Sequence, residues 1–389
     1  GTMLRMIVSM SAQAAKSYFS NALLKPDYYL SDQELPGQWH GLAADRLGLS
    51  GKVKKEEFFA LADNCHPKTG LAITPGGDRE YRRVGYDINF HCPKSVSLLH
   101  ALGLNDDILP AFEQSVNETM QDMEKDMQTR VRIGGSNEDR HTGNMVWASF
   151  VHQTARPAKN FAPDPHLHAH CYTFNMSFDH REERFKAGQF VNLKRDGMYY
   201  QFLFHKRLAD RLQNLGYSIK KTKDAFEVME VSEKAIHQFS KRTSQIGQVA
   251  REKGITDSKE LDKLGARTRS AKQKDLSMPD LRATWTSQLK GRNILQNVKG
   301  MVSPFSVKQC KDYALEHLFE RNSVATDRAI MREALLQSMG NKSISIEDIK
   351  VSIENDSRLL RVVQQGRVQC TTLDVLREEQ EMVLLAINV

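Results

Sequence analysis

Residues 166–174, HLHAHCYTF, place histidine, tyrosine or phenylalanine at every second position. Alternate side chains of a β-strand face the same way. Read as a strand, this segment lines up His166, His168, His170, Tyr172 and Phe174 on one face. Residues 144–152, NMVWASFVH, form a second strand pattern, with His152 on the face of Ala148 and Phe150. A loop containing proline and asparagine, 153–165, separates the two. Each strand carries histidine where it meets that loop, and an antiparallel pairing brings His152 beside His168 and His170. A half-buried strand with a polar side accounts for any one of these histidines. Three at this spacing point to a metal site or a phosphate-handling site.

The surrounding pattern sets that pair in an α+β fold. MLRMIVSM reads as a short strand, SAQAAKSYFSNAL as a helix, and KKEEFFALADN as another. In YRRVGYDINFH, Tyr86, Ile88 and Phe90 share one face, and Asp87, Asn89 and His91 the other, polar one. PKSVSLLHAL begins a helix with Pro93 near its first turn, residues 106–128 continue as a long amphipathic helix, and 198–215 are helical. Residues 215–231 read as a hairpin, and from 232 onward the pattern is nearly all helical. A length of 389 residues suits two or three domains. The expected division is a catalytic part over 3–235, basic helices over 236–300 and a helical region over 301–389.

No apolar run reaches membrane-spanning length, and the opening residues lack the apolar stretch of a signal peptide. Gly1 and Thr2 precede a methionine and look like a cloning scar. Five cysteines, an odd number with no CxxC pair, argue against a disulfide framework and for a reducing cytoplasm. The net charge is +7, and residues 241–300 alone hold fourteen Lys/Arg against six Asp/Glu. Such a block suits a polyanion partner, nucleic acid first, although a solvated helical surface carries similar charge.

Three neutral imidazoles bind a divalent cation and leave positions open for water or substrate. An ion so held polarises a phosphoryl or carbonyl oxygen. Cys171 falls on the opposite strand face and is badly placed to close that site. SYFSNALLKPDYY puts Tyr18 on the N-terminal helix and Tyr28 and Tyr29 just after it. A tyrosine hydroxyl, with an ordinary pKa of about 10, becomes a nucleophile once a neighbour takes its proton. Asp87 is a candidate for that acceptor, or for a carboxylate that orients a histidine through its other ring nitrogen; a lone surface aspartate is the plainer reading.

SYF and DYY, then GYDINFHCPKSVS, FVHQTAR and DPHLHAH occur in this order. The chain thereby resembles conjugative relaxases of the F-plasmid type, the MOBF family of the HUH endonuclease superfamily, from about residue 3 to about residue 300. GARTRSAKQ and LRATWTSQLKGRN are similar to the basic helical fingers that follow the catalytic part. The resemblance implies an antiparallel-sheet palm of the ferredoxin or RRM-like kind with flanking helices, then α-helical fingers and a small helical C-terminal region.

The resemblance also implies roles. His152, His168 and His170 would be the metal ligands, while His166 falls on a variable position of its segment. Asp87 would be the assisting acid and Tyr18 the nucleophile. Phe19 stands where the family often has a second tyrosine, and Tyr28 or Tyr29 would serve a second strand transfer. Lys94, Arg156, Arg267, Arg269, Lys272 and Lys274 would contact DNA. The implied cofactor is one divalent ion, Mg²⁺ or Mn²⁺ in use, with Zn²⁺ or Ni²⁺ suited to the imidazoles. The implied partners are single-stranded and hairpin DNA of an origin of transfer, relaxosome accessory proteins and a type IV coupling protein. The protein would act as a monomer in the donor cytoplasm, without membrane insertion, and travel with the DNA to the recipient.

Three rivals remain. HLHAHCY also fits the histidine-triad nucleotide hydrolases, which leave His152, Asp87 and the tyrosines without roles. A plasmid DNA-binding module needs only the basic helices. A rolling-circle replication initiator usually has its tyrosine after the histidines. Residues 304–389 contain no GxxxxGK[ST] phosphate loop. ALEHLFERNSV and CTTLDVLREEQEMVLLAI look like the lead-in to a helicase module, so the expectation is an N-terminal portion of a larger protein.

Overall fold

The computed structural model describes residues 4–24, 37–76, 80–155, 162–240, 277–299 and 304–387. Strand β1 (Arg5–Ser9) leads into helix α1 (Ala12–Tyr18) and a π-helical turn, Phe19–Leu23. Then come β2 (Gln38–His40), α2 (Leu42–Arg46), α3 (Lys55–Ala62), β3 (Gly85–His91), α4 (Lys94–Ala101) and α5 (Ile108–Lys125). A hairpin of β4 (Gln128–Ile133) and β5 (Ser136–His141) precedes β6 (Trp147–Thr154) and β7 (Pro165–Phe174).

The central sheet has five strands in the order β1-β3-β7-β6-β2, antiparallel throughout. The expected pairing of the two histidine strands is the one observed, with His152 directly opposite His168. β3 lies on the other side of β7, where Asp87 faces Tyr172, Asn89 faces His170 and His91 faces His168. One sheet face thus changes character along its length. Phe174 and Tyr172 join Phe19, Phe58 and Phe150 in an aromatic core, with ring centroids 4.5 Å apart for Phe19 and Phe58 and 5.1 Å for Phe58 and Tyr172. Beyond that core the same row continues as His170, His168 and His166. Offset and tilted aromatic pairs of this kind add to the burial of their area.

The opposite sheet face is covered by α4. Ser97 Oγ accepts from the Leu167 backbone N–H at 2.8 Å, and Lys94 Nζ donates to the Pro165 carbonyl at 2.8 Å. Both bonds fix the start of β7. Glu124, near the end of α5, accepts from the backbone of Leu42 at 2.8 Å and of Met145 at 2.9 Å, joining α5 to the approach to β6. Burial raises the pKa of that carboxyl.

The helix expected over residues 11–23 is α-helical only to Tyr18. Ser11 caps it by accepting from Ala14 N, and Leu24 N then donates to Phe19 O in the wider π turn. Extra residues of this kind in a helix are frequent at functional sites.

The chain continues with β8 (Ser177–Asp179), β9 (Arg184–Lys186), β10 (Gly188–Gln189), α6 (Val191–Arg195), α7 (Gly197–Asn214), the hairpin β11 (Ile219–Lys221) and β12 (Phe226–Val228), and α8 (Glu233–Gln238). α9 (Met278–Gln288), α10 (Val307–Phe319), β13 (Ala325–Thr326), α11 (Asp327–Ser338), α12 (Ile346–Glu354), β14 (Leu359–Gln364), β15 (Arg367–Thr372) and α13 (Leu373–Ile387) complete it. The fold clusters into two units. One holds the described residues up to Lys194 and from Glu227 to Val298; the other holds Arg195 to Phe226 and the described residues from Lys299 onward.

In the first unit, α9 is anchored by Trp285, which is fully buried and donates to the Pro163 carbonyl at 2.9 Å, and by Arg282, which donates to the Ala101 carbonyl at 2.9 Å. In the second, the buried Lys206 ammonium is satisfied by Asp210 at 2.9 Å and by the carbonyls of Ser338 and Asn341 at 3.1 and 2.9 Å. The helical pattern expected from residue 232 onward is interrupted there by the sheet β13-β15-β14. Its hairpin turns at Gln365 and Gly366, both at positive φ, the two-residue turn that matches strand twist. Among the described residues no helix is long and apolar enough to cross a membrane.

Candidate functional site

His152 on β6 and His168 and His170 on β7 each offer a ring nitrogen, and these atoms lie within 4.8 Å of one another. The rings are held from behind. His170 Nδ1 is 2.7 Å from Asp87 Oδ2, and His168 Nδ1 is 3.0 Å from the His166 carbonyl. Carboxylate and carbonyl only accept, so each Nδ1 carries the proton and each Nε2 is the acceptor nitrogen of its ring. His152 Nε2 is 2.9 Å from the Leu23 carbonyl at the end of the π turn. Convergent imidazoles fixed by such partners have the donor set and outer support of a divalent transition-metal site.

Asp87 is completely buried. It was expected on the polar side of its strand, but β3 lies between β1 and β7, and helix α1 closes over it. Its Oδ2 accepts from the Tyr18 hydroxyl as well as from His170. The Asn89 amide, oriented by its neighbours with nitrogen toward the carboxylate, donates to both Asp87 oxygens at 3.0 Å. Tyr18 is half-buried and stands over Tyr172, with ring centroids 6.1 Å apart. Tyr172 is fully buried, and burial pushes its hydroxyl pKa well up. Of the two adjacent phenols, Tyr18 donates to the carboxylate and is half-buried, whereas Tyr172 is enclosed. Gly85 permits this stacking: a Cβ there would lie 2.5 Å from the Tyr172 ring.

The structure therefore brings together Tyr18, Asp87, His152, His168 and His170. Tyr28, Tyr29, Arg156, Arg267, Arg269, Lys272 and Lys274 lie outside the described residues. Lys94 is tied to the Pro165 carbonyl and braces β7. Cys171 points to the opposite face, is fully buried, and has its thiol pKa raised well up by that burial. His166 leaves the main triad and meets His91, with Nε2 and Nδ1 2.8 Å apart.

Sequence reasoning missed His91 and Asn89, which become visible only through the β3–β7 register. It also missed a basic groove of about 700 Å³ lined by Arg83, Arg130, Arg132, Arg140, Arg184 and Lys186. Arg140 and Lys186 there pair with Asp179 and Glu182; Arg83, Arg130, Arg132 and Arg184 are exposed, with Arg130 near Asp139 at 3.8 Å and Arg184 on Glu182 at 3.2 Å. These charges come from segments far apart in sequence, so no local run announced them.

A tyrosine on the first helix, a carboxylate beneath it and two histidines one residue apart on the central strand of an antiparallel sheet define the HUH class. The chain belongs to the TrwC relaxase family, whose model matches residues 12–291. The multifunctional conjugation protein TraI of Escherichia coli is 29% identical over 297 residues, which are 74% of this chain and 16% of that protein. TraI of strain K12 is 28% identical over 289 residues, 72% of this chain and again 16% of that protein. The chain thus spans about a sixth of the length of these relatives. Among solved structures, the metal-bound conjugative relaxase TrwC in complex with oriT DNA superposes with a TM-score of 0.64 at 28% identity, covering 74% of this chain and 98% of that one. TrwC complexed with a 27-mer DNA comprising the recognition hairpin and the cleavage site gives a TM-score of 0.63 at 28% identity over 74% of this chain and 98% of that one.

Proposed function

We propose that this chain nicks one DNA strand at a plasmid origin of transfer and rejoins it through a covalent tyrosine intermediate. The observation that carries the reading is the chain of contacts from Tyr18 through Asp87 to His170, set beside His152 and His168. The Tyr18 oxygen attacks the scissile phosphorus as Asp87 takes its proton. The bond from phosphorus to the 3′-oxygen breaks, that oxygen takes a proton from solvent, and the 5′-phosphate stays on Tyr18. One phosphodiester replaces another, so the step reverses when a 3′-hydroxyl returns. A divalent ion held by His152, His168 and His170 would withdraw charge from the phosphate oxygens. TrwC has been solved metal-bound, and Mg²⁺ or Mn²⁺ is the ion we assign to use here, with Zn²⁺ or Ni²⁺ as competent substitutes.

Positioning of DNA falls to three basic sets. The hairpin β4–β5, with its Gly134-Gly135 tip and exposed Arg130 and Arg132, has the form of a two-stranded ribbon that enters a duplex groove. Arg156, Arg267, Arg269, Lys272 and Lys274 would follow the single strand, with Lys94 acting through β7. Tyr28 or Tyr29 would make a second attack. By the division 3–235, 236–300 and 301–389, the first two parts act on DNA and the third leads toward a helicase module. Accessory proteins of the relaxosome and a type IV coupling protein would meet the monomer in the donor cytoplasm.

The test is a deep pool of 3′-labelled single-stranded DNA incubated with Mn²⁺ or EDTA and run on denaturing gels. A metal-dependent adduct that disappears in Tyr18→Phe supports the reading. An adduct that survives moves the nucleophile to Tyr28 or Tyr29. DNA binding without any adduct, from a pool deep enough to hold the site, favours a binding module and refutes the enzyme.

A further inference from the structure

Five imidazoles cluster on this sheet, and the main triad uses three. His91, His166 and His168 also present ring nitrogens within 4.8 Å of one another. His91 ends β3 and His166 starts the histidine row of β7, and both are half-buried at the open end of the sheet. Their rings stand edge to face with centroids 5.0 Å apart, and the His166 and His168 rings do the same at 4.7 Å.

The closest pair sits near the spacing of ligands on one ion. Two nitrogens each about 2.0–2.1 Å from a metal, at angles between right and tetrahedral, lie roughly 2.9–3.4 Å apart. His91 Nδ1 and His166 Nε2 are 2.8 Å apart, so this pair needs only a few tenths of an ångström of opening, and the His168 nitrogen lies within 4.8 Å of both. His91 is anchored by the strand register, directly opposite His168, and His166 lies one step further along the row on β7, where the register with β6 shifts.

We propose that His91, His166 and His168 form a second transition-metal site that shares His168 with the first. An all-imidazole set, like the main triad, has the higher intrinsic affinity for Zn²⁺, Ni²⁺, Co²⁺ or Cu²⁺, and Mg²⁺ occupies such a site only through its abundance. The shared ring makes the two positions alternatives, so the chain holds one ion, either in the main triad or one step outward. An ion in the outer position withholds His168 from the main triad. The proposal does not require that the chain nick DNA, because the readout is ion binding.

The experiment is Ni²⁺ binding to the metal-stripped full chain, by equilibrium dialysis and isothermal titration. The wild type is expected to bind one ion. The double variant His152→Ala, His170→Ala is expected still to bind one ion, through the outer triad. Adding His91→Ala to it should weaken that binding by about tenfold or more, since losing a ligand costs at least as much as losing its supporting partner. A double variant that binds no better than His168→Ala, or binding unmoved by His91→Ala, overturns the proposal. If circular dichroism shows the double variant unfolded, anomalous scattering from wild-type crystals saturated with Ni²⁺ decides. A peak among His91, His166 and His168 supports the site, and a peak confined to the main triad refutes it.

Discussion

Replacing Asp87 by asparagine removes one charge and almost no volume from the centre of the site. In Asp87→Asn the side-chain oxygen can still accept from Tyr18 and His170, while Asn89 turns its amide to accept from the new NH₂. What is lost is charge assistance on two bonds. A hydrogen bond to a charged group contributes about 1.5–3 kcal/mol and a neutral one about 1, so the loss is about 1 kcal/mol per bond, or about 2 in total. At about 1.4 kcal/mol per factor of ten, the His170 share weakens metal binding about fivefold to tenfold, at the low end of the 10–100-fold range seen for outer partners of metal ligands. The adduct-forming step should fall much further, by about 10²–10⁴ at saturating ion, because an amide does not accept the phenolic proton. Metal titration and single-turnover adduct formation separate the two effects. An adduct rate within threefold of wild type at saturating Mn²⁺ (roughly 0.7 kcal/mol) would show that Asp87 is not the proton acceptor.

Gly85→Ala should lower stability to urea by about 1–3 kcal/mol, because the new methyl meets the Tyr172 ring and the Thr173 carbonyl; an unchanged midpoint would mean that Tyr172 moves freely. His100, which lies 2.7 Å from Gln153 Oε1, has its pKa lowered by burial. Its contribution is therefore complete above the unfolded value of about 6.5 and is lost as pH falls through that value toward the folded one. Tm measured from pH 7.5 to 5 should decline less steeply in His100→Gln than in wild type, and parallel curves would contradict the assignment. Arg130→Ala and Arg132→Ala should each reduce the slope of log affinity for hairpin DNA against log salt by about one; an unaltered slope would remove the ribbon from the interface.

The parts of this site that could be read from the sequence are those whose signal is periodic. HLHAHCYTF and NMVWASFVH each alternate through a full strand, so their pairing and the convergence of His152, His168 and His170 follow from spacing alone. His91 and Asn89 alternate too, but their meaning depends on β3 lying next to β7, a tertiary fact with no local trace. QWH is too short to register as a strand and acquires one only by pairing with β6. The hairpin β4–β5 escaped because SNEDRH has no apolar face to alternate. The burial of Asp87 was equally invisible, since a polar residue on an alternating strand looks the same whether water or a helix covers it. The end of α1 at Tyr18 depends on Phe19 and Leu23 both reaching the aromatic core, which local propensity does not encode.

Between the pairs His152–His168 and Thr154–Pro165, β7 has one residue more than β6, a bulge just past the ligand. Because side chains alternate with a period of two, a one-residue slip of the regularly paired stretch from His168 to Phe174 would turn His168 and His170 toward the α4 face. Inserting one residue between His168 and His170 would put the two ligands on opposite faces of the sheet, a change that no single replacement makes.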